Sequence, residues 1–453
     1  MRSLDQRWLP ALRRGLVTAG AVVGAGACLL ASTAAASAAG PVSSTPAEGT
    51  PQLAPTSATE QVRQLVQCGG TMYAVGTFTQ VKRFTTVYQR NNIFSFSATR
   101  PYNVTSWNPN VNGEVNSIAF NGSNCSRAYI GGSFTSVHGT PAKNIAEIST
   151  STGAVFTGFR HNANGAVETL AVSGGHLLAG GHFTTINGSS SDQYMASLNP
   201  GGGQNDGYLH LSISGNYQYP GVGFNHTMIF NQQVSHDGTR DLVEGVFTSV
   251  GGSPRQQIFM LNLGSGSGTV SGWTSSEFSQ HCSTGHPFYI KTATWSPDDS
   301  TVYVATTGKR LFGSTSFPLT GLCDVVAAFP ATAQAVSHNW INYTGCDSLY
   351  SAAADNSAVY VGGHERWAHN PNGCDKAGPG AVTAPGMGGF TPASGSLLTN
   401  SAGTAGLYSR GRGLGADDML LTSAGLWIAS DNLQDTAMCG GAGGHAGICF
   451  LPY

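Results

Sequence analysis

The densest group of reactive side chains is His364-Glu365-Arg366-Trp367-Ala368-His369. An imidazole, a guanidinium and an indole side by side suit a site that stacks on a sugar ring or peptide plane and hydrogen-bonds its polar edge. The same residues also suit a buried polar network that locks an irregular stretch of a fold, and that plainer reading weighs somewhat more. His364 and His369 are five positions apart rather than four and lie among strand signals. The helix-borne zinc motif H-E-x-x-H is therefore excluded.

Arg410 and Arg412 stand in a glycine-rich loop just before Asp417 and Asp418. They suit recognition of a carboxylate, or Arg–Asp ties that hold a long loop down, with the second favoured. Asp431 completes the candidate ligand set, as the acid a central pocket would bring to those arginines. His281-Cys282-Ser283-Thr284-Gly285-His286 has metal-like spacing, but in an exported chain Cys282 belongs in a disulfide. Asp298-Asp299 is turn chemistry. Nucleophile-elbow, phosphate-loop and dinucleotide motifs are absent. With so few acids, a carboxylate pair for glycoside hydrolysis is a weak reading. No catalytic residue can be assigned, and no metal or cofactor is expected.

The elements that must carry these residues repeat. A small apolar strand followed by Gly-Gly-x-Phe-Thr, or a close variant, recurs with Phe78, Phe134, Phe183 and Phe247 at its anchor. Degraded copies place Gly308, Glu365 and Asn432 in the same position. The copies lie roughly 50–70 residues apart, room for four strands and their loops. Within one unit, Val115–Phe120, Ala128–Phe134, Asn144–Ile148 and Val155–Phe159 read as strands separated by Asn-Gly and Thr-Gly turns. Small residues in mid-strand allow neighbouring backbones to approach, and the phenylalanine fills space between units. The pattern predicts an all-β chain: a single seven-bladed β-propeller of four-stranded blades over residues 61–453. The last unit ends on a third strand, Ile448–Tyr453. The ring is expected to be closed by N-terminal residues within 45–60, which complete the last blade and leave no unpaired edge.

Ahead of the repeats, Arg2, Arg7, Arg13 and Arg14 precede an apolar run from Gly15 to Leu30 and an Ala36-Ser37-Ala38 cleavage site. Residues 1–38 are read as a signal peptide, with twin-arginine export weighed as the lesser option, and 39–60 as a Pro/Ser/Thr-rich linker or closing strand. Only 10% of the residues are charged, 62 are glycine and the net charge is −2. Such a chain offers no basic surface for nucleic acid or anionic membranes. A secreted monomer without membrane insertion is expected.

Setting Cys28 aside, the cysteines are Cys68, Cys125, Cys282, Cys323, Cys346, Cys374, Cys439 and Cys449. An even set in an exported chain suggests disulfides, whose pairing the count does not fix. Cys68 and Cys125 hold the same turn in adjacent units, and Cys439 and Cys449 bracket a glycine-rich loop. The expected pairs are 68–125, 282–323, 346–374 and 439–449.

The repeated phrase resembles the delta-60 repeat, a propeller-forming family of bacterial secreted proteins. Gly362–Trp367, Asn370-Pro371, Pro379–Val382, Arg410–Gly415 and Gly425–Asp431 resemble an actinobacterial group within it. The resemblance spans the chain after the leader and implies propeller fold and export, with no established reaction. The expected function is a non-catalytic secreted propeller that binds a glycan or an extracellular protein through loops on one face. Asn216-Tyr217-Gln218-Tyr219-Pro220-Gly221 has the aromatic and amide character such a face needs. The alternatives are an extracellular enzyme using His364, Arg366 and Arg412 in a central pocket, and a structural module of an extracellular assembly.

Overall fold

A computed structural model describes residues 40–216, 226–280, 282, 288–308, 321–409, 415–432 and 445–453. Strand follows strand, and the one helical element among the described residues is the 3-10 turn Ser276–Ser279. Among the described residues, seven of the eleven sheets, with four smaller ones interspersed, are antiparallel meanders of three or four strands that succeed one another along the chain. Their first strands are Gln61–Cys68, Glu114–Asn121, Val167–Ser173, Met228–Val234, Ile290–Trp295, Leu349–Ala354 and Asp418–Thr422.

Each first strand packs against the first strand of the next sheet, and Gln61–Cys68 also packs against Asp418–Thr422. The apolar side chains collect between consecutive sheets. Trp107, Ile118 and Ile130 of one cluster meet Tyr73 and Val75, and Trp427 and Phe450 of the last sheet meet Leu65, Phe94 and Phe96 of the first. The anchor residues Phe78, Phe134, Phe183 and Phe247 are buried in these layers.

The two glycines of the repeat do different work. A Cβ on Gly131 or Gly180 would lie 2.6 Å from a methyl of Val167 or Ile229 in the next sheet, so the first glycine admits the neighbouring sheet. A Cβ on Gly76, Gly132, Gly181, Gly245 or Gly363 would instead lie 2.1 to 2.3 Å from a carbonyl oxygen at the start of that sheet's own first strand or of the residue just before it. There the register slips: between Val62 and Gln64, Val115 and Ser117, Val167 and Thr169, Ile229 and Asn231, and Leu349 and Ser351. The second glycine thus sits against a β-bulge in the first strand. The fifth sheet keeps its bulge, between Ile290 and Thr292, with Thr306 in the glycine position.

Polar side chains serve backbone groups beside these bulges. Gln64 Oε1 accepts from Ile118 N at 2.7 Å, Ser117 Oγ accepts from Leu170 N at 3.0 Å, and Asp418 Oδ2 accepts from Leu65 N at 2.9 Å. Each bond ties one first strand to the next, and the third ties the last sheet to the first.

Four strands per sheet were expected; the fourth is often reduced. Gly268–Val270 and Trp340–Tyr343 are fourth strands. Elsewhere the place is held by single bridges, Phe96–Val104, Ile148–Val155, Leu198–Asn205 and Phe390–Leu397. Short outer edges of this kind resist pairing with other chains.

Residues 42–53 are not a free linker. Ser43, Ala47 and Leu53 donate backbone N–H bonds to the carbonyls of Pro452, Phe450 and Ala446 at 2.6, 2.8 and 2.8 Å. Pro46 and an uneven spacing keep this contact from being a regular ladder. Gln52–Leu53 pairs with Gln80–Arg83, a hairpin strand after the first anchor, rather than with the last sheet.

Three of the expected disulfides are present: Cys68–Cys125, Cys282–Cys323 and Cys346–Cys374. They are consistent with an oxidising, extracellular setting. Cys449 is disulfide-bonded and buried; Cys439 lies outside the described residues, as does the leader. No helix among the described residues is long and apolar enough to cross a membrane.

Candidate functional site

A β-bulge adds one residue to a strand and re-aims its side chain. The added residues here are Arg63, Asn116, Glu168, Phe230, Lys291 and Tyr350. All six line one cavity of about 430 Å³, whose wall is completed from the seventh sheet by Asp417 and Asp418. One backbone device, repeated sheet by sheet, therefore presents six chemically different side chains to a common space.

The charges within it are arranged. Arg63 Nε donates to Glu114 Oε1 at 3.1 Å, and its Nη1 lies 3.5 Å from Asp417 Oδ1. Glu168 accepts from Asn116 Nδ2 at 2.8 Å and meets His182 Nε2 at 3.1 Å. His182 Nδ1 is in turn 3.1 Å from His226 Nε2. The Lys291 ammonium lies 5.2 Å from the centre of the Phe230 ring and enters no ion pair among the described residues.

Burial pushes Asp417 up to about 6, opposed by the nearby charges of Arg63 and Lys291 and reinforced by Asp431 and Asp418. Burial likewise raises Asp418 to about 6, against the Leu65 hydrogen bond. Lys291 is reached by water in the cavity, yet the surrounding protein displaces enough solvent to lower its pKa.

A carboxyl with a folded pKa near 6, against 3.8 when unexposed to the fold, binds its proton more tightly in the native state. Its contribution to stability is full below about pH 4 and is lost as pH rises through about 6. The double variant Asp417→Asn/Asp418→Asn is expected to gain stability relative to the native chain as pH moves from 4 to 7. Thermal melts of both proteins across that range check this; a constant difference in melting temperature refutes it.

The sequence-nominated residues sit elsewhere. His364 follows the second glycine of its sheet, as His182 does in the third. Its ring meets Tyr350 edge-on, with Nδ1 3.4 Å from the Tyr350 hydroxyl, so it backs a cavity residue without lining the cavity. Arg366 is held away from it. Its Nε and Nη2 donate to both oxygens of Asp347, at 2.8 and 2.6 Å, and Nη2 also reaches Asp375 at 2.8 Å. Its guanidinium covers the Trp367 ring at 4.5 Å, and Trp367 pairs with Thr383 in a short hairpin. Asp431 is buried and bridges to Gln61. His364, Arg366, Trp367 and Asp431 are not among the residues that line the cavity. Arg410 and Arg412 lie outside the described residues, as do His281, His286 and most of the 216–221 loop.

Asp347 is nearly inaccessible. Arg366→Ala removes the guanidinium from this carboxylate, leaving it the Arg366 backbone N–H, and is expected to cost about 3 kcal/mol of stability, read by chemical denaturation, while ligand capture is unchanged. Lost capture by a variant of unchanged stability returns Arg366 to the site.

Composition alone hides the cavity residues, because Arg63, Glu168 and Lys291 look like solvent-facing charges on amphipathic strands. The signal available was positional: each stands in the first strand opposite the second-glycine position of its own repeat, which Thr306 fills for Lys291.

No protein-family profile matches the chain, and no curated protein matches it. Solved structures similar to it include the WD40 beta propeller domain of Doa1, at 11% identity over 88% of this chain and 96% of that one, TM-score 0.43. The RRP9 WD40 repeats are 11% identical over 90% and 98%, TM-score 0.47. BamB from Moraxella catarrhalis is 12% identical over 89% and 99%, TM-score 0.41. The chain is all-β, with β-propeller neighbours. Likenesses this loose assign no residue and no activity.

Proposed function

We propose that this chain is an exported, non-catalytic β-propeller of seven blades, latched by residues 42–53, that holds an extracellular glycan or protein at the mouth of its central cavity. It would act as a monomer, and its repeats would be of the delta-60 type named on sequence grounds. The observation that carries the reading is the set of bulge residues. Scaffold positions repeat their residue, glycine or phenylalanine, from sheet to sheet. The bulge positions share one backbone geometry and hold Arg63, Asn116, Glu168, Phe230, Lys291 and Tyr350. The fold asks for none of these side chains in particular, and a polar cavity with aromatic walls is what a binding site needs.

The test is a glycan array and a pull-down from culture supernatant with the disulfide-bonded chain, beside an Arg63→Ala/Glu168→Gln variant. Capture by the native chain and its loss in a folded variant support the reading. Uniform signal across glycans with no captured protein leaves a structural module.

A second reading, an enzyme, draws on Asp417 and Lys291. Both have shifted proton affinities and face one cavity, as acid–base groups do. Turnover of a captured ligand, abolished by Asp417→Asn, would replace the binding module with an enzyme.

A further inference from the structure

The bulge residues of the fourth, fifth and sixth sheets are Phe230, Lys291 and Tyr350, and the first strands of these sheets pack in that order. An ammonium is thus placed between two aromatic residues on one side of the cavity. It lies 5.2 Å from the centre of the Phe230 ring and enters no ion pair among the described residues. The other cation, Arg63, is already spent on Glu114 and Asp417. Among the described residues that line the cavity, Lys291 is thus the one cation outside any ion pair, and it lies beside the Phe230 ring.

We infer that Lys291 takes the carboxylate of an acidic sugar residue, a uronic acid, whose ring lies against Phe230 or Tyr350. This rests on the cavity being the ligand site. A single negative charge fits better than a phosphate or sulfate cluster. Glu114, Glu168, Asp417 and Asp418 all face the same space and repel a dianion more than a single charge, and the one guanidinium among the described lining residues, Arg63, is already paired. A sugar suits the surroundings, since its carbon–hydrogen face packs on aromatic rings while hydroxyls meet amides and hydroxyls such as Asn116 and Thr292. Burial lowers the proton affinity of Lys291, and a bound carboxylate would restore it.

The experiment is titration calorimetry of the disulfide-bonded chain with an oligouronate, with the same oligosaccharide after reduction of its carboxyls, and with acetate. The oligouronate is expected to bind at least about tenfold tighter than either control, about 1.4 kcal/mol. Lys291→Met should erase the preference over the reduced sugar, and Lys291→Arg should keep part of it. Equal binding of the acidic and reduced sugars overturns the inference without a variant being needed. So does no binding of either, acetate binding as tightly as the oligouronate, or a preference that survives in folded Lys291→Met. None of these touches the cavity reading, which is tested separately: it fails if the native chain captures nothing or if the Arg63→Ala/Glu168→Gln variant captures ligand as the native chain does.

Discussion

A chain lacking residues 40–54 is expected to lose about 5 kcal/mol of stability. Val42, Ala47, Leu53 and Ala54 are buried, Val42 and Leu53 almost completely. Burying each of the two larger side chains stabilises by roughly 1.5–3 kcal/mol. The same segment satisfies backbone carbonyls on the outer edge of the last sheet, at Phe450 and Pro452. Val42 N donates to the Tyr360 hydroxyl at 2.9 Å, and the Tyr408 hydroxyl donates to Val42 O at 2.6 Å. Removing the segment uncovers Trp427 and Phe450 where the last sheet meets the first, so aggregation should accompany the loss. Denaturant unfolding of the truncated and native chains measures the effect. An unchanged midpoint would mean that these contacts hold nothing together.

Gly132→Ala is the second large effect, at about 3 kcal/mol destabilising. The new Cβ would stand 2.1 Å from Glu114 O and 2.9 Å from the Val115 Cα, both backbone atoms without a rotamer to change. The strand must shift, and the bulge that aims Asn116 into the cavity shifts with it. Ligand capture should fall together with stability. Gly70→Ala is the control: nothing lies within 4 Å of its Cβ, and its effect should be within a few tenths of a kcal/mol. Thr306 shows how the fold tolerates a side chain in this position. Its hydroxyl accepts from Val325 N at 2.9 Å, a bond alanine cannot make. Equal melting temperatures for the two alanine variants would refute the role given to the second glycine.

The strands were legible because they obey local rules. Val115–Phe120 and Ala128–Phe134 fall within Glu114–Asn121 and at the end of Asn124–Ser133, and Asn144–Ile148 overlaps Ile145–Ser149. Alternation and turn residues act over a few positions, so sequence exposes them. The fourth strand was over-read. Val155 makes one bridge to Ile148, since an outer strand has a partner on one side only and its extent depends on that neighbour.

The site was less legible. His364 to Trp367 drew attention because reactive residues were adjacent in sequence, yet Arg366 neutralises Asp347 in a local tie. Arg63, Glu168, Lys291 and Asp417 are far apart in sequence and unremarkable singly. Their meeting depends on seven strands arriving side by side and on a bulge in six of them.

The repeat by itself determined an all-β chain of recurring meanders and the positions of its buried phenylalanines, because strand periodicity and turn chemistry are short-range. Tertiary structure alone decided what the second glycine is for, where the N-terminal segment goes and which charges share a cavity. Those outcomes follow from contacts between strands of different sheets, and a single strand's sequence carries no record of its neighbour's register.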